Sequence, residues 1–372
     1  MVYLDANASE PLRPEAREAA LAAMVATGNP ASVHQAGREV RRILESAREA
    51  LATQFAARAQ DVVFTSGATE ANALAIHALS AGRTVLVGAT EHDAVRAAAP
   101  NAITIPVLPD GLIDPQVLDD LLTQHPHALV CLMAANNETG VLHDITRAAR
   151  VCNAHKALLH VDAAQAAVRA RQDWLRLGAS SIVVSAHKAG GLLGAGAVIF
   201  APPFGEQVAP IIKGGGQERG WRGGTPAIPA IASMAAAFSV PYDAAKITGY
   251  RDDIEAFCVG LGAHVAGQGA PRLPNTLNIA LPGVRADTQL ISLDSAGIAV
   301  SAGSACSSGK IAASHVLLAM GFGELAAQAV RVSLPWNVSG SDIVAFKQAY
   351  ETMAKRALHR GTVTLTQAQF AN

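Results

Sequence analysis

The sequence is poor in cysteine and in unbalanced charge. Its four cysteines among 372 residues form no Cys-x-x-Cys pair and no ladder of short spacings, so neither a disulfide scaffold nor a zinc ribbon is indicated and no metal site is predicted. The formal net charge is −1, whereas nucleic acids and anionic lipids require clustered Lys and Arg. Any phosphate that this chain binds must therefore be held locally.

Long apolar runs are also missing, although 50% of the residues are hydrophobic and the mean hydropathy is +0.25. Arg, Asp, Glu, Pro or His interrupts each run well short of the ~18 residues that a membrane-spanning helix needs. The N-terminal Met-Val-Tyr-Leu-Asp has neither the basic nor the apolar region of a secretory signal. We therefore expect a soluble protein of the reducing cytoplasm, with a large core and roughly two domains.

From about residue 60 to 200, short apolar runs alternate with Ala-rich segments of helical period. This alternation predicts an α/β fold whose parallel sheet is buried on both faces, with ligands at the carboxyl ends of the strands. After about residue 241 the pattern becomes that of a smaller α+β unit. The predicted strands are 62–65, 84–87, 103–108, 129–133, 158–161, 182–185, 198–200, 276–281, 298–301 and 331–334, and the predicted helices include 70–81, 115–122 and 144–154.

One of the chain's seven lysines stands at the end of a predicted strand. Ser-Ala-His-Lys at 185–188 follows the apolar run 182–184 and leads into a glycine-rich segment. Taken alone, Lys188 could simply extend its ammonium group into solvent. A lysine that is desolvated at a strand end can instead lose its proton and form a Schiff base.

Two further strand ends carry groups that suit one cofactor. Asp162 and Gln165 follow the strand at 158–161, and this aspartate could either cap the next helix or keep a pyridinium nitrogen protonated. Ser-Gly-Ala-Thr-Glu at 66–70 could be an ordinary capped turn or a phosphate site made of backbone N–H groups and the Thr69 hydroxyl. No dinucleotide fingerprint follows a strand, and 303–310 departs from the Walker A pattern. Together these groups favour pyridoxal phosphate.

One cysteine has an unusual setting. Cys306 lies within Ser-Ala-Gly-Ser-Ala-Cys-Ser-Ser-Gly-Lys at 301–310, a composition typical of a flexible, solvated loop, whereas Cys131 lies in an apolar run and is expected in the core. An ordinary cysteine, with a pKa of about 8.5, has a small thiolate fraction at neutral pH, and thiolate is the nucleophilic form. Cys306 is therefore the candidate nucleophile.

Eight motifs in this order make the chain resemble the class V, fold-type I enzymes that use pyridoxal 5′-phosphate, and in particular the cysteine desulfurases of the NifS/IscS kind. The resemblance extends from Tyr3 to about Leu334. It implies a large cofactor-binding domain at 15–245, with a mostly parallel central sheet flanked by helices. It also implies a smaller α+β domain formed by 1–14 and 246–372, which carries a mobile cysteine loop at about 301–312. The motifs are Gly-Asn-Pro-Ala-Ser at 28–32, Ser-Gly-Ala-Thr-Glu at 66–70, Thr-Glu-His at 90–92, Asn-Asn-Glu-Thr-Gly at 136–140, His-Val-Asp-Ala-Ala-Gln at 160–165, Ser-Ala-His-Lys at 185–188, Gly-Gly-Gly-Gln-Glu-Arg-Gly-Trp-Arg-Gly-Gly-Thr at 214–225 and the Cys306 loop.

The resemblance implies a role for each site residue. Lys188 would carry the cofactor as a Schiff base and later move the substrate proton, and Cys306 would take sulfur from L-cysteine as a persulfide, leaving L-alanine. An acceptor such as an iron–sulfur scaffold protein or a tRNA-thiolation partner would then receive the sulfur. His92 would stack on the ring and, as a third catalytic residue, assist proton transfers. The other implied contacts are Asp162 to the pyridinium nitrogen, Gln165 to the ring oxygen, Ala68, Thr69, Ser185 and His187 on the phosphate, Thr225 on that phosphate from the second subunit of a homodimer, and Asn137 beside the cofactor and, with Arg331, on the substrate carboxylate.

Two positions depart from the usual pattern of this family. Leu192 and Leu193 stand where Pro-Lys is usual, which removes a cation near the rim of the site. Ser9 and Glu10 stand where Thr-Thr is common, which is expected to put an acid near the cofactor entrance. The alternative functions are an aminotransferase or a selenocysteine or cysteine-sulfinate lyase of the same class, none of which needs a loop thiol, and a catalytically silent scaffold.

Overall fold

The structure, a computed structural model, describes residues 1–202, 208–303 and 313–369, with side chains described up to residue 356. The helices in these ranges are α1 Pro14–Met24, α2 Gln35–Gln54, α3 Ala68–Leu79, α4 Asp93–Ala98, α5 Pro115–Gln124, α6 Ile145–Ala154, α7 Ala166–Arg169, α8 Ala186–Ala189, α9 Ile228–Ser239, α10 Ala244–Gly260, α11 Ala286–Ser295, α12 His315–Ala319 and α13 Gly340–Gln369. The strands are β1 Val2–Tyr3, β2 Val62–Thr65, β3 Val85–Gly88, β4 Ile103–Ile105, β5 Leu129–Met133, β6 Leu158–Asp162, β7 Ser181–Ser185, β8 Gly196–Phe200, β9 His264–Val265, β10 Thr276–Ala280, β11 Ile298–Ala299 and β12 Ala329–Ser333.

Seven of the described strands form one sheet, in the order β2-β8-β7-β6-β5-β3-β4. β8 runs antiparallel to both of its neighbours, and the remaining pairs are parallel. The predicted mostly parallel α/β sheet is therefore confirmed. The long strand predicted at 103–108 is wrong in its second half. Pro106 offers no N–H for a ladder, and the chain instead bends so that Val107 pairs with Ile113.

The sheet is buried because alternate side chains enter two different apolar clusters. In β5, Val130 and Leu132 pack against one cluster, which includes side chains of α1, α2, α5, α6 and α9. Leu129 and Cys131, on the opposite face, pack with side chains of α3 and α4. Helices therefore cover both faces, which explains why this strand is apolar at every position rather than at every second one.

Polar side chains set where helices begin on this sheet. Asp114 accepts a hydrogen bond from the N–H of Gln116 (2.8 Å), with Pro115 as the first helical residue of α5. Asp144 accepts one from the N–H of Arg147 (2.9 Å) at the start of α6. Each bond satisfies an N–H that has no partner within the helix. These caps fix the residues at which α5 and α6 begin.

A third apolar cluster lies outside the large sheet. There β10 pairs antiparallel with β9 and β12, and β1 pairs parallel with β11. The cluster contains Leu277, Val332 and Phe346, and the N-terminal segment contributes Leu4 to it. Residues at both ends of the chain thus pack together. Within the described ranges, no helix is both long enough and apolar enough to span a membrane.

Candidate active site

A cavity of about 600 Å³ opens at the carboxyl ends of the parallel strands. The turns that follow β2, β3, β5, β6 and β7 converge there because parallel strands end at one edge of a sheet. The N-terminal segment adds Asn7 and Ala8, Ser301 follows β11, and Arg331 lies in β12. Nine of the residues predicted for the site line this cavity, namely Ala68, Thr69, His92, Asn137, Asp162, Gln165, His187, Lys188 and Arg331.

Lys188 lies on the short helix α8, directly after β7. The helix ends at Gly190, whose φ of 87° suits glycine and whose Cα approaches Arg13 so closely that an added Cβ would lie 2.7 Å from Arg13 Cγ. Lys188 Nζ donates hydrogen bonds to the carbonyl oxygens of Asn7 (2.5 Å) and Ala8 (3.0 Å). The amine is thereby aimed into the cavity.

The surroundings of Lys188 make its ammonium group easier to deprotonate. Burial lowers the pKa of Lys188 to about 8, and the guanidinium groups of Arg331 and Arg169 act in the same direction. The carboxylates of Asp5 and Asp162 oppose this shift but do not reverse it. A lysine with this pKa offers a much larger fraction of nucleophilic amine at neutral pH than an exposed lysine does.

Asp162 ends β6 and is held by a buried polar network. Its Oδ2 accepts a hydrogen bond from Asn72 Nδ2 (2.8 Å), and its Oδ1 accepts one from the N–H of Ala164 (2.9 Å). Asn72 Oδ1 lies 2.9 Å from His160 Nε2, and His160 Nδ1 lies 2.8 Å from Ser181 Oγ. Burial lowers the pKa of His160 to about 4, so this ring is neutral at pH 7.

Gln165 lies at the start of α7 with both ends of its amide engaged. Its Nε2 donates to the carbonyl oxygen of Asn7 (3.0 Å), and its Oε1 accepts from Arg169 Nη1 (2.6 Å). The same carbonyl of Asn7 also accepts from Lys188 Nζ. The amide N–H₂ of Gln165 and the amine of Lys188 are therefore neighbours that share one acceptor, the carbonyl oxygen of Asn7.

The turn between β2 and α3 forms an open cradle. Thr65 Oγ1 donates to the carbonyl oxygen of Gly67 (3.0 Å), and α3 begins with Ala68 and Thr69 facing the cavity. β8 passes close beneath, since a Cβ added to Gly196 would lie 2.5 Å from the carbonyl carbon of Gly67. Only glycine fits at this crossing, and the turn is held against the sheet edge.

Two polar side chains, Ser185 and His187, lie near this cradle. Ser185 is buried, and its Oγ has no hydrogen-bond partner among the described residues. Burial lowers the pKa of His187 to about 4, with Lys188 and Arg169 acting in the same direction. A hydroxyl, a neutral imidazole and the first N–H groups of α3 can together donate hydrogen bonds to a phosphate group. The residues present therefore fit the phosphate of pyridoxal phosphate.

His92 caps α4, and its ring faces the cavity, with Nδ1 accepting from the N–H of Ala94 (3.1 Å). The preceding Glu91 is fully buried and accepts a hydrogen bond from the N–H of Met133 (2.5 Å). Burial raises the pKa of Glu91 well above its usual range, and the charge of Asp162 adds to this effect. Glu91 thus ties the turn that carries His92 to the end of β5.

Arg331 projects from β12 toward the opposite side of the cavity. Its Nη2 donates to Asp5 Oδ1 (2.7 Å), and its Nη1 donates to the carbonyl oxygen of Asn137 (3.2 Å). Its Nε is buried and has no partner among the described residues. The guanidinium is therefore fixed at the cavity wall with bonding capacity left for an anionic ligand.

Not every predicted site residue lies in this cavity. Thr225 is exposed and is not among the described residues that line it. Cys306 falls in 304–312, outside the described residues. The geometry of this chain alone therefore leaves both of their expected roles as predictions.

Of the residues that depart from the usual family pattern, Glu10 does not lie where it was expected, whereas Leu193 does. Glu10 does not lie at a cavity entrance. It is buried, and its carboxylate accepts hydrogen bonds from Arg169 Nη2 (2.6 Å) and from the N–H of Trp336 (2.7 Å). These bonds compensate for the burial of its charge, which would be costly without a partner. Leu193 does lie at the rim, where it lines the cavity with its side chain 71% exposed.

Three residues that position the site were not predicted from the sequence, namely Asn7, Asn72 and Arg169. Asn7 is nearly fully buried, and its side chain bonds to Asn137, which follows β5, and to Asn275 and Thr276 at the start of β10. The one available signal was for Asn72, an amide within the otherwise apolar buried face of α3. A polar residue in such a position usually has a buried partner.

Comparisons with known proteins show the family to which the chain belongs. A family model described as aminotransferase class-V matches residues 2–346. A cysteine desulfurase of Frankia sp. (strain EuIK1) is 38% identical over 86% of this chain and 83% of its own length. An IscS-like cysteine desulfurase of Mycobacterium tuberculosis is 32% identical over 96% of this chain and 97% of its own length. The solved structure of a NifS-like protein from Rickettsia africae superimposes with a TM-score of 0.88 at 32% identity, covering 95% of this chain and 99% of that one.

Proposed function

The chain belongs to the class-V aminotransferase family and, within it, to the cysteine desulfurases of the NifS/IscS type, and on this premise we propose that it transfers sulfur from L-cysteine with pyridoxal phosphate as its cofactor. One observation carries the proposal. A single cavity brings together an amine of lowered pKa, a buried carboxylate, an amide donor, an open phosphate cradle and a fixed guanidinium.

Pyridoxal phosphate, when bound, supplies an electron sink that weakens bonds at the carbon atoms of an attached amino acid. Lys188 would hold it covalently, and its neutral amine would also take and return the substrate's α-proton. Asp162, which is fixed by Asn72 and the N–H of Ala164, would face the pyridine nitrogen. Gln165 would donate to the ring oxygen, and His92 would cover the ring face.

The phosphate would lie in the cradle of Ala68, Thr69, Ser185 and His187. Arg331, supported by Asn137, would bind the carboxylate of L-cysteine. This assignment requires the guanidinium to bond Asp5 and the substrate together, which its five N–H donors permit.

Cys306 would complete the reaction as a nucleophile. Its thiolate would attack the sulfur of L-cysteine, so that an S–S bond forms while the C–S bond breaks and its electron pair goes to carbon. That carbon takes up a proton, which gives L-alanine and a Cys306 persulfide. An iron–sulfur scaffold protein or a tRNA-thiolation partner would then receive the sulfur.

We extend the proposal to the organisation of the protein. The apolar clusters support a division into 15–245 and 1–14 with 246–372, because one cluster draws on the large sheet and its helices while another joins Leu4 to residues 247–354. Thr225 is exposed and does not line the cavity of its own chain, which is consistent with a role in the neighbouring site of a homodimer. The reducing cytoplasm stays a prediction from the sequence.

Two variants test the proposed function. Purified wild-type protein incubated with pyridoxal phosphate and then freed of unbound cofactor by gel filtration should be yellow, and borohydride should bleach it. Lys188→Ala should stay colourless, whereas the control Lys213→Ala, at an exposed lysine, should behave as wild type. A colourless wild type would contradict the cofactor assignment.

The second variant separates the desulfurase from the other reactions of its class. Cys306→Ala should keep the yellow chromophore but release no sulfide from L-cysteine. Undiminished sulfide release would instead point to a lyase reaction that needs no loop thiol.

A further inference from the structure

The buried pair Glu10–Arg169 lies next to the site but outside the roles given above. Both side chains are almost fully buried, with 2% and 1% of their surfaces exposed. A charge pair in such a place costs considerable desolvation and stabilises a fold little by comparison with apolar residues. Its position relative to the reactive groups therefore calls for an explanation.

Arg169 connects this pair to Gln165. Its Nη1 donates to Gln165 Oε1 (2.6 Å), while its Nη2 donates to Glu10 Oε2 (2.6 Å). A guanidinium can only donate, so the oxygen of the Gln165 amide must face Arg169 and the N–H₂ must face the opposite way. That direction is toward Asn7 and the amine of Lys188.

Glu10 connects the pair to the turn that carries Lys188. Its backbone N–H donates to the carbonyl oxygen of His187 (2.8 Å), while its carboxylate is held by Arg169 on α7 and by the N–H of Trp336. One residue thus links the turn after β7 to the helix after β6. The two elements that present Lys188 and Gln165 are thereby held at a fixed separation.

We propose that Glu10 and Arg169 are positioning residues for the cofactor linkage: the pair fixes the orientation of the Gln165 amide, and the Arg169 cation acts on the charge of Lys188. The proposal rests on the proposed function, since it concerns the bound cofactor. It also assigns a role to Glu10, a departure from the usual Thr-Thr.

The electrostatic part follows from the charges around Lys188. Arg331 on β12 and Arg169 on α7 lower the pKa of Lys188, and Asp5 and Asp162 raise it. Arg13 and Tyr242 also face the Glu10–Arg169 pair. Removing the Arg169 cation should therefore make a protonated group at Lys188 easier to form, and removing the Glu10 anion should make it harder.

The test is the pH titration of the yellow chromophore in holoenzyme. Arg169→Met should move the midpoint upward, by about half a pH unit or more, and Glu10→Gln should move it downward. Arg169→Lys, which keeps the cation, should stay closer to wild type than Arg169→Met. Arg272→Met is the control, because Arg272 forms a largely buried pair with Glu255, with 7% and 15% of their side chains exposed, and neither residue lines the cavity. It should leave the midpoint unchanged.

The role of the amide is tested separately. In a Gln165→Ala background, Arg169→Met should change the absorbance maximum of the chromophore less than it does alone, because both act on the same donor. Equal changes in the two backgrounds would overturn this part of the proposal. If Arg169→Met fails to fold, Arg169→Gln replaces it, because it also removes the cation and should again move the midpoint upward.

Other outcomes overturn the proposal in distinguishable ways. If wild type is yellow but both single variants leave the midpoint in place or move it in one direction, the pair is merely structural and the proposed function stands. If wild type stays colourless with pyridoxal phosphate, the proposed function fails and this proposal fails with it.

Discussion

Asn72 Nδ2 donates a 2.8 Å hydrogen bond to Asp162 Oδ2 beneath the cavity. This contact fixes the orientation of the Asn72 amide, whose oxygen must then accept from Nε2 of His160. The neutral ring therefore carries its proton on Nε2, and its Nδ1 accepts from Ser181. The carboxylate at the end of β6 is thus oriented by residues on α3, β6 and β7.

Replacing Asn72 should weaken cofactor binding. Asn72→Leu leaves Asp162 Oδ2 and His160 Nε2 without their hydrogen-bond partner, and each such loss costs about 1–3 kcal/mol. We expect the Kd for pyridoxal phosphate to rise by about tenfold or more, measured by absorbance titration. Asn153→Leu, at an exposed amide on α6, should leave the Kd unchanged, and an unaltered Kd for Asn72→Leu would show that this network is dispensable.

Capture of the cofactor should depend on pH through Lys188. Because only the neutral amine attacks an aldehyde, and burial lowers the pKa of Lys188 to about 8, the rate of chromophore formation by apo-protein should rise with pH and level off above about 8. Arg331→Met removes a cation that lowers this pKa, so its curve should lie at higher pH. Stopped-flow absorbance measures both curves. Coincident curves would argue against the influence of Arg331.

The crossing of β8 beneath the cradle predicts a sensitive glycine. Gly196→Ala would place a Cβ 2.5 Å from the backbone of Gly67, so the turn must shift, and the phosphate donors shift with it. We expect the affinity for pyridoxal phosphate to fall by about tenfold or more. Gly249→Ala on α10 is the control, because nothing lies within 4 Å of its added Cβ and alanine suits a helix better. Equal affinities would mean that the cradle tolerates the displacement.

A buried histidine should make the fold sensitive to acid. His143 has no partner at either ring nitrogen among the described residues, and burial lowers its pKa to about 4. Between pH 6.5 and 4 the unfolded chain binds a proton that the folded chain does not, so the free energy of unfolding falls as the pH falls. His143→Leu should reduce this loss by up to about 3 kcal/mol, measured by urea unfolding at both pH values.

The control for acid sensitivity is the exposed His77 on α3. His77→Asn should leave the pH dependence of unfolding as it is in wild type. A matching pH dependence in His143→Leu would show that the loss of stability in acid comes from elsewhere.

Residues that directly follow apolar runs could be predicted from the sequence. Thr69, Asp162 and Lys188 each come within a few residues of a strand whose length and burial are evident, and parallel strands bring their carboxyl ends to one edge. The mostly parallel sheet could also be predicted, because apolar strands alternate with helical segments along the chain. The predicted strand at 103–108 ended early because Pro106 cannot donate to a ladder.

The contacts that orient those residues were beyond sequence reasoning. Glu10 and Arg169 are 159 residues apart, and Asn72 and Asp162 are 90 apart. Asn, Glu and Arg are common on exposed surfaces, so their types give no signal of burial. Only the fold brings such partners together, which is why Glu10 was expected at the cavity entrance rather than in a buried pair.

Alanine formation from L-cysteine tests the central claim most directly. Wild-type protein with pyridoxal phosphate, L-cysteine and a reducing thiol should yield alanine and sulfide in equal amounts over many turnovers, while Lys188→Ala should yield neither. Sulfide accompanied by pyruvate instead of alanine, or alanine production undiminished in Lys188→Ala, would contradict the account.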